Sequence, residues 1–370
     1  MRLKKYIYLY TFLSFALGIS QNETHQNHEL IVSAYADSYL SSFSNELDQN
    51  DFQPYITAGA RDNTFGLNIA AFGAQYTSEL LRGQVVFHYG DIPQATWSED
   101  FQNVQEANIG LKLSDGLWVD AGFFATHIGT ESFLPKNNML SSTAFKTFNE
   151  PFYQAGVKLS YNKLDNWYFE LWGLNGYNSF VDNNDAKSIG ALITYNFSDS
   201  FSITYTNLYG RESDDQTTPE QNRFYQNMYI NKHWNDTWFL SAGIDVGMQS
   251  NSDLDDVNKQ ALMYAALITS RYQMNTRWSF TARAEVFQDE QGIISGTLIN
   301  TQGRAEGLRL FGFTLGSEFR PYKNGYARIE GRYTELDSNL EIFIQNGETT
   351  NTRYELLFTI GFEIDKVFSL

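Results

Sequence analysis

The stretch Arg353–Ile364, RYELLFTIGFEI, decides how the rest of the chain is read. Its even positions, Tyr354, Leu356, Phe358, Ile360, Phe362 and Ile364, are all large and apolar. Its odd positions, Arg353, Glu355, Leu357, Thr359, Gly361 and Glu363, are mostly polar or charged. Successive side chains of a strand point to opposite faces, so this is a strand with one apolar and one wet face. A soluble sandwich buries the apolar row. A membrane barrel turns it outward to lipid and leaves Arg353, Glu355 and Glu363 in an aqueous lumen. Recurrence, strand length and what precedes the strands separate the two.

The same alternation recurs along the whole chain. Leu30–Phe43 is followed by the pair Phe65–Tyr76 and Leu80–Gly90. Glu106–Leu113 and Leu117–Thr126 meet at Asp115-Gly116, a strong hairpin signal. Tyr153–Tyr161 with Trp167–Leu174, and the segments 189–197 with 201–206, continue the series, as do Phe224–Lys232 with 238–248. Leu262–Tyr272 with Trp278–Phe287, and Arg309–Phe319 with Tyr326–Thr334, precede the stretch quoted above. About 16 strands of roughly ten residues result, which is membrane-crossing length for a tilted strand. Short turns near 78, 115, 164, 199, 235, 275 and 323 alternate with longer, Asp-, Asn- and Gly-rich segments. That sorting is the arrangement of a transmembrane antiparallel β-barrel with short periplasmic turns and long outer loops, and a sandwich has no reason for it. Trp167, Trp238 and Trp278 each follow a short turn, where an interfacial aromatic girdle belongs.

The start of the chain reads as an export signal. Arg2, Lys4 and Lys5 precede an apolar run, Tyr6–Leu17, and then Gly18-Ile19-Ser20. The run is too short for a membrane helix but suits a signal peptide over 1–20. Residues 21–28 then form a flexible amino terminus, and 29–370 the barrel. The net charge is −17; without the three basic residues of the signal, 23 basic face 43 acidic ones, a net of −20. A surface so acidic argues against nucleic acid as a partner. There are no cysteines, so thiolate metal sites and disulfides are excluded. Aromatic residues make up 16% of a chain of negative mean hydropathy, as a barrel with aromatic girdles and polar loops requires.

The words His127-Ile128-Gly129-Thr130-Glu131-Ser132, with Asn138 and Ser141, lie in the middle of the chain. So do Leu174-Asn175-Gly176-Tyr177-Asn178, Val181-Asp182-Asn183-Asn184, Lys187-Ser188-Ile189-Gly190 and Asn207-Leu208-Tyr209-Gly210. Together they resemble the OmpL-like β-barrel porins of Gram-negative outer membranes. The resemblance implies an outer-membrane barrel acting as a channel, with no defined substrate and no catalytic residues to carry over. The chain departs from many barrels at its end, Phe368-Ser369-Leu370, where an aromatic terminal residue is usual.

A barrel of this size is wide enough for water. Arg283, Glu285, Glu318, Arg320, Arg328, Glu330, Arg332, Arg353 and Glu355 must face the lumen, since Arg or Lys against lipid costs roughly 2–4 kcal/mol at the midplane. They either form a field across the pore that filters permeants by charge, or neutralise one another and stiffen the wall. The loop 127–150 is long enough to be functional. It either folds into the lumen, where Glu131, Lys136 and Asn138 line a constriction, or lies over the mouth. The histidines His25, His28, His88, His127 and His233 show no ligand spacing, and Asp253, Asp255 and Asp256 lack the rest of a calcium loop. No cofactor and no enzymatic motif is indicated. The function expected is an outer-membrane porin for passive diffusion of small solutes, embedded in lipid and lipopolysaccharide, with a homo-oligomer left open. The alternatives are a barrel-borne lipase or protease, and a surface platform that binds a partner through its acidic loops.

Overall fold

The computed structural model describes residues 28–47, 51–182 and 184–370. The expected signal peptide and residues 21–27, with His25, lie outside them. The described chain closes into one barrel of 16 antiparallel strands. They are β1 (Glu29–Phe43), β2 (Phe65–Thr77), β3 (Leu81–Tyr89), β4 (Val104–Ser114), β5 (Leu117–Ala125), β6 (Tyr153–Tyr161), β7 (Trp167–Leu174) and β8 (Ser188–Ser198). They continue with β9 (Phe201–Arg211), β10 (Asn222–Trp234), β11 (Trp238–Gln249), β12 (Ala261–Gln273), β13 (Trp278–Gln288), β14 (Arg309–Tyr322), β15 (Gly325–Leu336) and β16 (Thr352–Ser369). Each strand pairs with its neighbour in sequence, and β1 pairs with β16 from Glu29↔Ser369 to Phe43↔Glu355. No strand edge is left unpaired, the condition for backbone in hydrocarbon.

The strand quoted first is longer than its alternation suggests, because Asp365–Ser369 pair with Ser33–Glu29 and finish the seam. The Leu370 amide then donates to the His28 carbonyl at 2.8 Å. Phe368 belongs to the outward row of this strand, opposite Leu30. The inversion of a soluble core is complete along the strand: Tyr354, Leu356, Phe358, Ile360, Phe362 and Ile364 are 40–60% exposed, while Arg353 is fully buried inside. Trp167, Trp238 and Trp278 face outward beside Tyr195, Tyr272 and Phe319 at 4.6, 4.9 and 4.8 Å, forming the girdle at the short-turn end.

Tight turns need left-handed backbone, and the sequence supplies it at Gly116 (φ 74°) and at Asn235 and Asp236 (φ 50° and 54°). The eight long connections all lie at the other end. They carry short helices at Asp91–Thr96 and Phe145–Asn149 and two small hairpins, at 298–306 and 343–350, which periodicity alone does not reveal.

Outward and inward positions predict opposite responses to charge. Ile360→Arg lowers the folding free energy in lipid vesicles by about 2–4 kcal/mol. Ser202→Arg on the inner face changes it by about 0.5 kcal/mol or less. Equilibrium denaturant titration in vesicles measures both, and equal costs would contradict the assignment of faces.

Candidate functional site

Between β5 and β6 the chain enters the barrel and is tied to its inner wall. Arg328 donates to the carbonyls of Pro135 (2.8 Å) and Asn138 (3.0 Å). Arg283 donates to the carbonyls of Ser142 (2.6 Å) and Thr143 (3.2 Å), and to Glu131 Oε1 at 3.0 Å. Glu330 accepts from the amides of Ser141 and Ser142 and from the Ser142 hydroxyl (2.6 Å). Glu285 Oε2 accepts from the Phe145 amide at 2.6 Å. The loop therefore fills part of the lumen and does not lie over the mouth.

The nine charged residues expected on the wall all turn inward, and the loop covers most of them. Arg283, Glu285, Glu318, Arg328, Glu330, Arg332 and Arg353 are each at most 5% exposed. Arg328 Nε meets Glu318 Oε2 and Arg332 Nη2 meets Glu285 Oε1, both at 2.7 Å. Arg353 Nη2 meets Glu355 Oε1 at 2.8 Å, and Arg320 Nε meets Glu318 Oε1 at 2.7 Å. These groups neutralise one another and supply hydrogen bonds to a loop backbone that has no secondary structure to pair with.

The three loop residues singled out from sequence are all engaged. Glu131 Oε2 accepts from the Ala144 amide at 2.7 Å. Lys136 meets Glu363 at 3.0 Å, and the Asn138 side chain bonds back to the Ser132 backbone at 2.6 and 2.9 Å.

Sequence reading missed a second tether. On the short helix Phe145–Asn149 and its C-terminal neighbour, Lys146 meets Glu150 Oε1 at 2.7 Å and Asp245 Oδ2 of β11 at 2.8 Å. The Tyr225 hydroxyl reaches both carboxylates at 3.1 Å. All four side chains are buried. One ammonium facing two carboxylates in a dry site leaves an unbalanced charge. Burial, partly opposed by Lys146, pushes the Glu150 carboxyl up to about 8, so that it holds a proton at neutral pH. The i,i+4 spacing of Lys146 and Glu150 was visible; their partner on β11 was not.

The long-loop end of the lumen is packed with apolar side chains. Inward residues near the strand ends, among them Leu208, Tyr225, Met263, Phe287, Leu310 and Leu336, are buried against Ile293, Leu308, Leu340 and Phe343 of the inserted loops. A second cluster joins Tyr35, Ile69, Tyr153 and Tyr326 to Trp97, Phe133 and Phe152. The loop's inner side and the short-turn half of the wall enclose three recesses of about 400, 380 and 460 Å³. The first shares Thr126, His127 and Leu192 with the second, and Met139 and Asn231 with the third. The second holds the mixed charges Arg82, Asp120, Lys158, Glu106 and Glu170.

Of the histidines, His88 bonds to the Gln102 carbonyl, His127 to Gln154 and the Asn207 carbonyl, and His233 to the Asp199 carbonyl. Asp253 Oδ1 accepts from the amides of Asp255 and Asp256, a local turn.

Two outcomes test the tethers. Arg328→Ala leaves the Pro135 and Asn138 carbonyls without their donor while Arg320 still holds Glu318, a loss of about 1–3 kcal/mol. Amides 136–142 then exchange hydrogen faster while the strands stay protected. Glu150 follows from its sign: the folded state holds a proton that the unfolded chain releases above its ordinary carboxyl range. Loop docking therefore weakens as pH rises from about 5 through about 8, by at most about 1.4 kcal/mol per unit. Exchange at loop amides across that range reads the effect, and Glu150→Gln flattens it.

Several solved structures share this fold. The "anion-selective porin from Comamonas acidovorans" superposes with a TM-score of 0.60 at 9% identity, over 92% of this chain and 100% of that one. The "outer membrane channel DcaP of Acinetobacter baumannii" gives 0.58 at 12%, over 91% and 98%. OprB of Pseudomonas putida gives 0.56 at 8%, over 92% and 94%. No curated protein matches the chain in sequence. A family model, described as "Putative beta-barrel porin-2, OmpL-like", matches residues 29–364, almost the entire barrel. The chain belongs to this OmpL-like β-barrel porin family.

Proposed function

We propose that the protein is a non-enzymatic diffusion channel of the Gram-negative outer membrane, set in lipid and lipopolysaccharide with its short turns in the periplasm. It passes small solutes by width and lumen chemistry. The observation that carries this reading is a closed 16-strand wall, apolar outside, around neighbouring recesses with shared lining residues beside an inserted loop. Loop 127–150 sets the constriction, and five of the nine wall charges, Arg283, Glu285, Arg328, Glu330 and Arg332, act as its anchors more than as a filter. Conduction requires the apolar contacts at the outer end to part.

The packed outer end favours one other reading, a closed barrel whose acidic loops form a binding platform. Planar-bilayer recording separates the two. The full chain gives discrete current steps, and excising 338–350, which carries Leu340 and Phe343, lengthens or enlarges them. Silence from both forms, in preparations that show folded barrel by circular dichroism, would overturn the channel and leave the platform.

A further inference from the structure

The recess of about 400 Å³ between the inserted loop and β8, β10, β11 and β12 has the size of a small-molecule site, roughly 300–1,000 Å³. We propose that it binds an uncharged, polyhydroxylated solute of mono- or disaccharide size, a station on the route of the channel reading on which this inference rests.

Ten of the 21 residues that line it carry hydroxyl or amide groups, including Ser132 of the loop and Tyr229, Asn231, Ser241 and Thr269 of the wall, set among apolar side chains such as Ile128, Phe133 and Leu192. One hydroxyl in that lining, Thr269 Oγ1, has no hydrogen-bond partner among the described residues. Thr269 is 4% exposed, so water at the outer surface does not serve it. A buried polar atom left unpaired costs about 1–3 kcal/mol, and such atoms in a cavity wall point to a ligand that completes them. A solute hydroxyl both donates and accepts, which fits a wall that offers threonine and serine hydroxyls and an asparagine amide.

The charge pattern argues against an ionic solute. Three charge-bearing types line the recess: His127, Glu131 and Glu150. His127 is held by Gln154 and the Asn207 carbonyl, Glu131 by Arg283 and the Ala144 amide, and Glu150 Oε1 by Lys146. Arg283 and Arg328, the cations nearest the loop, are engaged by its backbone carbonyls and are not free to attract an anion. A charged solute entering here would shed water and find no free counter-charge.

Equilibrium binding to the full-length protein in detergent tests the site without requiring conduction. Calorimetry with maltose and glucose gives saturable heat, whereas gluconate and glucosamine, similar in size but charged, give none. Thr269→Val, nearly the same in shape, weakens maltose binding about five- to tenfold, and Ser241→Ala weakens it independently. Tighter binding of gluconate or glucosamine than of the neutral sugars overturns the solute class. No binding of any of them to protein that is folded and conducts in bilayers overturns the site while the channel stands. Maltose binding to protein that never conducts leaves the site and removes the channel.

Discussion

The ladder between β1 and β16 is the constraint on which the rest depends. A sheet in hydrocarbon has no water to satisfy an open edge, and each unpaired amide there costs several kcal/mol. Fifteen residues of Glu29–Phe43 find partners in Glu355–Ser369 and remove both edges together. Once the sheet is closed, the faces are fixed by the pleat. The apolar row goes to lipid, and every alternate residue is committed to a lumen too wide for 16 rows of side chains to fill.

That width creates the second problem, which the inserted loop answers. Charges forced inward by the pleat must be paired, and a loop forced into a barrel must satisfy its own backbone. The Arg and Glu residues of β13–β16 solve both at once, by pairing with each other and by bonding to carbonyls and amides of residues 135–145. Lys146 and Asp245 extend the fastening to β11, two strands from β13. The remaining space lies where hydroxyl and amide groups are interspersed with apolar side chains.

The outer end follows another rule. There the inward positions of β9, β10, β12, β13, β14 and β15 carry Leu208, Tyr225, Met263, Phe287, Leu310 and Leu336, which pack against loop residues as in a soluble core. The barrel therefore combines a membrane protein's outer surface with an apolar interior at one end and a polar one at the other. A barrier made of loops is the part of such a fold that moves at least cost, because the strands are fixed by continuous ladders and the loops by side chains alone.

The sequence by itself determined the barrel, its strand count, the outward rows and the side on which the long loops gather. The reason is local: a period of two over about ten residues, punctuated by Asp-Gly and Asn-Asp turns, fixes faces without reference to distant contacts. It also determined that Arg283, Arg328, Arg332 and Arg353 point inward, since charge against lipid is too costly. One trace of the packed outer end was present in the continuous apolar run Ala261–Ile268, where strict alternation lapses and both faces are dry. Only the tertiary structure decided that the loop lies inside, that the arginines hold it, and that Lys146 meets Asp245 about a hundred residues away. Those are contacts across an enclosed space, made between elements whose separation in sequence carries no information about who faces whom.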